Sequence, residues 1–179
     1  MRSIQQRLVE RLHNEPNCRK IEIDAKKALR NALGHFATGV TIVTANTPEG
    51  PVGITVNSFS SVSLDPALTL WSIDRKGNRY DTFANAKHYA IHILSAEQKE
   101  LAFAIAKDMR NFGDSKIHLS EAGVPIIEGC IAVFECSQTA RYPGGDHDII
   151  LGEIQAYETF AGSALGFYKG QAQVFDLSS

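Results

Sequence analysis

Cysteine is scarce in this chain: Cys18, Cys130 and Cys136 form an odd set with no C-x-x-C pair. Cys130 and Cys136 fall on one expected strand, where six residues separate them by about 20 Å. A disulfide needs Cα atoms within about 7 Å, so free thiols in a reducing cytoplasm are expected. An excess of one charge is also lacking. The formal net charge is −2, which gives a nucleic-acid partner no bulk electrostatic support. No run approaches the roughly 20 apolar residues of a membrane span. The start, Met1-Arg2-Ser3-Ile4-Gln5-Gln6, leads into a charged segment, so no signal peptide is expected. There is no internal repeat and no low-complexity tract. No G-x-G-x-x-G follows a strand, and neither G-x-x-x-x-G-K-[ST] nor G-x-S-x-G occurs, so no Rossmann cradle, P-loop or nucleophile elbow is expected.

What is present suits a soluble globular domain. The 179 residues fit one domain with a sizeable core. Residues 3–13 read as a helix with Ile4, Leu8, Val9 and Leu12 on one face. Asp24 is a plausible N-cap for a second helix from Ala25 to about Phe36, with Ala28, Leu29, Ala32, Leu33 and Phe36 as its apolar stripe. Residues 1–24 then form an N-terminal helical arm, and 25–179 the main domain. From Gly39 the pattern turns to strands: Val40–Ala45, Val52–Val62, Ala67–Ile73, Tyr89–Leu94, Ile131–Ala140, His147–Tyr157 and Phe167–Lys169. A short helix at Asp81–Asn85 and a longer one at Ala96–Met109, capped by Ser95, interrupt them. Many strands, few helices and no regular β-α-β alternation indicate a mainly β fold, an antiparallel barrel with peripheral helices.

Three stretches carry possible chemistry. The first, ITVNSFSSVS over residues 54–63, lines up short hydroxyls and one carboxamide. Such groups let a ligand approach the backbone, but an exposed Ser/Thr-rich strand has the same composition. The second runs from Ser72 to Phe83: a strand end, a loop with Arg75, Lys76 and Arg79, and a helix start near Thr82. Cations beside a helix N-terminus suit an anion, and a solvated basic turn is the commoner alternative. The third is Gly144-Gly145-Asp146-His147-Asp148 at a strand entrance. Its His is either a group oriented by Asp146 or Asp148 or part of a turn with local capping. His88 and His92 stand at i, i+4, but on a strand they lie about 13 Å apart. That is too far for one ion with bonds of about 2 Å, so structural roles and no metal are expected.

In order along the chain, these pieces resemble the short-chain flavin reductase family, the reductase components of two-component flavin monooxygenases. The resemblance covers about residues 28–175. It rests on Phe36-Ala37-Thr38-Gly39-Val40-Thr41-Ile42-Val43-Thr44, on Gly53 through Pro66, on Ser72-Ile73-Asp74-Arg75, and on Gly145-Asp146-His147 with Ile149 and Gly152. It implies a split β-barrel of the FMN-binding type, usually a homodimer with flavin near the subunit interface.

The resemblance also implies roles. Thr55, Val56, Asn57 and Ser58 would border the isoalloxazine and ribityl chain, with Ser61 toward the phosphate. Thr38, Val40 and Thr41 would line the neighbouring strand. Ser72, Arg79 and Thr82 would hold the phosphate end. His147, and Tyr168 in the aromatic C-terminal strand, would meet the nicotinamide. NADH or NADPH would be the electron donor, FMN or FAD the acceptor, and a flavin-dependent monooxygenase the partner. Ala172 stands where the family often has Tyr, so a nicotinamide contact at that position is not implied. Other activities on such a barrel are direct reduction of a quinone or ferric chelate, a pyridoxamine-phosphate-oxidase-like reaction, and flavin binding without catalysis.

Overall fold

The computed structural model describes residues 18–175, with side chains from residue 25 onward. The expected helix over 3–13 lies outside the described residues. The chain divides into two compact units, one comprising residues up to 37 with 168–170, the other 38–167 with the residues from 171.

In the first unit, helix α1 spans Cys18–Leu33. Asp24 therefore lies within the helix rather than capping it. Nothing in CRKIEID breaks a helix, and Asp lowers propensity by only tenths of a kcal/mol, about 0.7 at most. The C-terminal turn closes through Gly34 N–H to Arg30 O at 2.9 Å. Leu29, Leu33 and Phe36 of the expected stripe are exposed. Lys169 N–H donates to Gly34 O at 2.8 Å, and the His35 ring meets Tyr168 edge-on at 6.2 Å.

The second unit is built on strands. They are β1 (Thr38–Gly39), β2 (Thr41–Thr47), β3 (Gly50–Val56), β4 (Ser60–Leu64), β5 (Ala67–Asp74), β6 (His88–Ile93), β7 (Ile117–Leu119), β8 (Pro125–Ile127), β9 (Ala132–Gly144), β10 (His147–Thr159), β11 (Ala164–Tyr168) and β12 (Gln171–Phe175). Seven of them form one antiparallel sheet in the order β3-β2-β6-β9-β10-β5-β4. Its two edge strands, β3 and β4, are consecutive in the chain and joined only by Asn57, Ser58 and Phe59. Three residues reach about 10 Å, so the sheet must curl until its edges approach each other. Val43, Val52, Trp71, Tyr89, Cys136 and Ile150, from six of its strands, share one buried cluster inside that curl. Burying this apolar set on one face is what a period-two pattern provides.

A second cluster packs helix α3 (Lys99–Lys107) against the outer face through Leu101, Ala102 and Ile105. Helix α2 (Tyr80–Ala84) follows β5. The expected strand Val52–Val62 is two strands, because the corner at 57–59 turns the chain from one sheet edge to the other. The expected helix Ala96–Met109 opens as a 3-10 turn, Ala96–Gln98, where Gln98 Oε1 accepts the Ser95 N–H at 3.1 Å. Two small sheets, β7-β8 and β1-β11-β12, complete the described residues. No described helix is long and apolar enough to cross a membrane.

His92 is fully buried. Its Nδ1–H donates to Ile42 O at 3.1 Å, and its Nε2 accepts the Ile127 N–H at 3.1 Å. Both ring nitrogens thus tie strands together. Exposed His88 meets Ser137 Oγ at 3.2 Å. Cys130 and Cys136 are buried free thiols, both pushed up to a pKa of about 11 by burial.

Candidate functional site

Part of the expected set, Thr41, Thr55, Val56, Asn57, Ser58, Ser61 and Ser72, lies where β3 turns into β4 beside β5. Thr41 lies opposite Val56, and its hydroxyl donates to Val56 O at 3.0 Å. Thr55 Oγ1 donates to Ala102 O of α3 at 2.7 Å. Both hydroxyls spend their protons inside the fold; Thr41 is buried, while half-buried Thr55 keeps oxygen lone pairs to offer a ligand. Ser58 Oγ accepts the Ser72 N–H at 2.9 Å, which fastens the corner to β5. Asn57 is exposed at the corner, and Ser61 is exposed on edge strand β4. Val40 is buried, and its N–H donates to Leu165 O at 3.0 Å.

Ser72 pairs with Ile149, and Asp74 with His147, across β5 and β10. That register puts the Cα atoms of Ser72 and His147 about 8 Å apart. Arg79, the residue before α2, lines a hollow of about 280 Å³ with Ile54, Ile73, Asp74, Tyr80 and Lys107. Its guanidinium donates to Ala106 O at 2.9 Å, and burial lowers its pKa. The structure therefore brings Ser58, Ser72, Arg79 and His147 to one end of the β5–β10 pair. Thr82 lies elsewhere, lining a different hollow with Asn46, Asn85 and His88; on α2 it is three residues on from Arg79. Tyr168 belongs to the first unit, against His35 and under the Lys169 ammonium at 5.2 Å.

His147 is half-exposed at the mouth of the hairpin, whose turn has Gly145 at φ +82°. Its Nδ1–H donates to Asp146 Oδ1 at 2.7 Å, so Asp146 rather than Asp148 aims the ring. In the neutral ring, Nε2 is then left as an acceptor.

Asp148 is buried and does something else. Arg75 donates to its Oδ1 from Nε and Nη2, each at 2.5 Å. The Tyr80 hydroxyl donates to Oδ2 in a short bond, and Arg141 Nε lies 3.5 Å from that oxygen. The Tyr80 bond foremost, with Arg75 and Arg141, holds the Asp148 carboxyl below its ordinary pKa against the opposing effect of burial. The same bond raises the Tyr80 pKa. Arg75 is thus engaged with a carboxylate instead of standing as a free anion-binding cation. Sequence reasoning missed this cluster because 73 residues separate Arg75 from Asp148. Only Arg141 and Asp148, flanking one hairpin turn, carried a local signal.

The residues fit a flavin with a terminal phosphate. Thr38 Oγ1 is buried without a hydrogen-bond partner among the described residues, as a group meant for a ligand would be. A Cβ added to the adjoining Gly39 would meet nothing within 4 Å. Two cations, Arg79 and Lys107, flank one hollow.

The fold has relatives among known proteins. The model of the flavin reductase like domain matches residues 33–175. The FMN reductase (NADH) SmoA of Agrobacterium fabrum is 52% identical over 128 residues, 72% of this chain and 74% of that protein. The reductase component of the flavin-dependent trigonelline monooxygenase of Acinetobacter baylyi is 43% identical over 147 residues, which span 80% of this chain and 47% of that longer protein. Among solved structures, the NADH:FAD oxidoreductase SgcE6 of Streptomyces globisporus, in complex with NAD and FAD fragments, superposes with a TM-score of 0.80. It is 33% identical and covers 86% of this chain and 94% of its own.

Proposed function

Because the chain belongs to the flavin reductase-like family, we propose that it is an NAD(P)H:flavin oxidoreductase that reduces FMN or FAD and supplies reduced flavin to a partner monooxygenase. The observation that carries the reading is the convergence of Ser58, Ser72, Arg79 and His147 at one end of the β5–β10 pair. When bound, flavin supplies the hydride-accepting ring.

The chain's own residues do the binding and orienting. Thr38, Val40, Thr41, Thr55, Val56 and Asn57 border the ring and ribityl chain. Ser58 borders the ribityl chain as well, and Ser61, Ser72 and Arg79 face the phosphate end, with Thr82 a more distant contributor. Arg79 offers a charge-assisted donor. His147, held by Asp146, positions the nicotinamide. No general base is needed at this site, so the Asp146–His147 pair serves orientation and not proton removal.

The fold is of the split-barrel type, and the protein works as a cytoplasmic homodimer. The exposed apolar stripe of α1 supports dimerisation, and the buried free thiols suit a reducing compartment. The division into an arm over 1–24 and a flavin-binding domain over 25–179 belongs to the same proposal, with α1 continuous across its boundary.

The test is fluorescence titration of the purified protein with FMN and FAD, followed by NADH and NADPH oxidation with and without added flavin. Flavin-dependent oxidation is the expected result. Binding without oxidation points to a flavin-binding module, and no quenching at tens of micromolar flavin overturns the reading.

A further inference from the structure

Asp148 touches neither the Arg79 hollow's cations nor the His147 ring, yet it joins the elements that carry both. On one side its partners are Arg75 and Tyr80, in the β5–α2 segment that presents Arg79. Arg75 is further tied to the hairpin turn: its N–H donates to Asp146 O at 3.0 Å, and Nη1 reaches Gly145 O at 3.5 Å. On the other side is Arg141, from β9. Arg141 also donates to Ala84 O at 3.2 Å, the last residue of α2, and its guanidinium lies 5.9 Å above the Tyr80 ring. Asp148 and Arg141 therefore clamp α2 at its first residue and its last, and fasten it to the turn that holds His147.

Resting on the functional reading above, we infer that Asp148 is a positioning residue that fixes the spacing between the phosphate-facing Arg79 and the nicotinamide-facing His147. The physical reason is that a buried carboxylate with several charge-assisted donors cannot shift without leaving one of them unpaired. The surrounding backbone is thereby held in one arrangement. Without it, α2 and the turn can move independently, and a misplacement of about 1 Å at either end is enough to cost affinity or rate.

The test uses the full chain and three readouts. Asp148→Asn keeps the shape and an acceptor for Tyr80 but removes the charge. The expected result is a Kd for FMN and a KM for NADH both raised about tenfold, with riboflavin affinity less affected because it has no phosphate. In the flavin-free protein, backbone amide exchange over 75–80 and 144–147 should accelerate together. An Asp148→Asn protein with lower thermal stability but unchanged Kd, KM and exchange in those two segments overturns the inference. Tyr80→Phe, which deletes one hydroxyl, covers the case in which Asp148→Asn fails to fold. It should give the same paired pattern at smaller size, and parental values for all three readouts also overturn the inference. Failure of the underlying reading looks different. Paired acceleration of exchange would persist, while Arg79→Ala and His147→Ala would leave FMN and NADH untouched.

Discussion

At the scale of single residues, the proposed site separates groups assigned to ligand from groups that hold the frame. Arg79→Ala should weaken FMN binding by about 1–3 kcal/mol, the size of a lost charge-assisted hydrogen bond. Riboflavin should bind the variant as well as the parent, which fluorescence titration with both ligands checks. His147→Ala should raise the KM for NAD(P)H or slow flavin reduction about ten- to hundredfold, since each 1.36 kcal/mol is a factor of ten. Flavin affinity and the melting temperature should stay near the parent's, which stopped-flow reduction and a thermal melt establish. His92 makes a pH prediction. Burial lowers its pKa to about 4 in the folded protein, against about 6.5 unfolded. Below pH 6.5 the unfolded chain takes up a proton that the folded chain refuses, so stability is complete above that pH and declines as pH falls toward 4. The loss amounts to about 3 kcal/mol. Denaturant melts between pH 4.5 and 8 should show it, and His92→Gln should flatten the profile in that window.

At the scale of elements, the β9–β10 hairpin does most to place the chemistry. It runs 13 residues on each strand and pairs with β5 along its first half, so His147, Ile149 and Asp148 take their positions from register with Asp74, Ser72 and Ile73. A slip of one residue would turn Asp148 to the other face and unseat Arg75. Gly152 sits at an irregularity of this hairpin. A Cβ there would fall on the Tyr89 hydroxyl, so the glycine in the motif has a packing reason. Tyr89 and Trp71 meet edge to face at 5.9 Å in the core, which leaves no room for the ring to retreat. Gly152→Ala should therefore destabilise the fold by about 1–3 kcal/mol, the usual cost of overpacking, as measured by equilibrium denaturation. The corner at 57–59 works in a similar way. The Ser58 hydroxyl takes the place of a ladder partner for Ser72, and the chain crosses from one sheet edge to the other without orphaning a buried N–H.

At the scale of the whole molecule, the first unit has an exposed stripe of Leu29, Leu33 and Phe36 at 60%, 67% and 78% exposure. Leu29 and Leu33 lie one turn apart on α1 and Phe36 just past its end, and exposed apolar residues grouped in this way signal a partner surface. Light scattering should report about twice the 19.6 kDa chain mass, and Leu33→Glu should shift the protein toward monomer. A stable monomer with full turnover would count against the dimer.

The class of fold was legible in the residues alone, and so were the stretches from which the candidate site is drawn. Period-two patterning marked the long strands because alternation is a local property of which face is buried. The hydroxyl-rich run, the basic turn and the Gly-Gly-Asp-His turn were legible because each is short and continuous. The tertiary structure decided which parts meet. Only the curl of the sheet turned one expected strand into two, because closure depends on contacts between distant strands and not on propensity. Only the β5–β10 pairing took Arg75 out of the expected anion-binding loop and gave it to Asp148, since no local rule links residues 73 apart. The same packing sent Thr82 to a different hollow from Arg79 and made Asp146 the partner of His147.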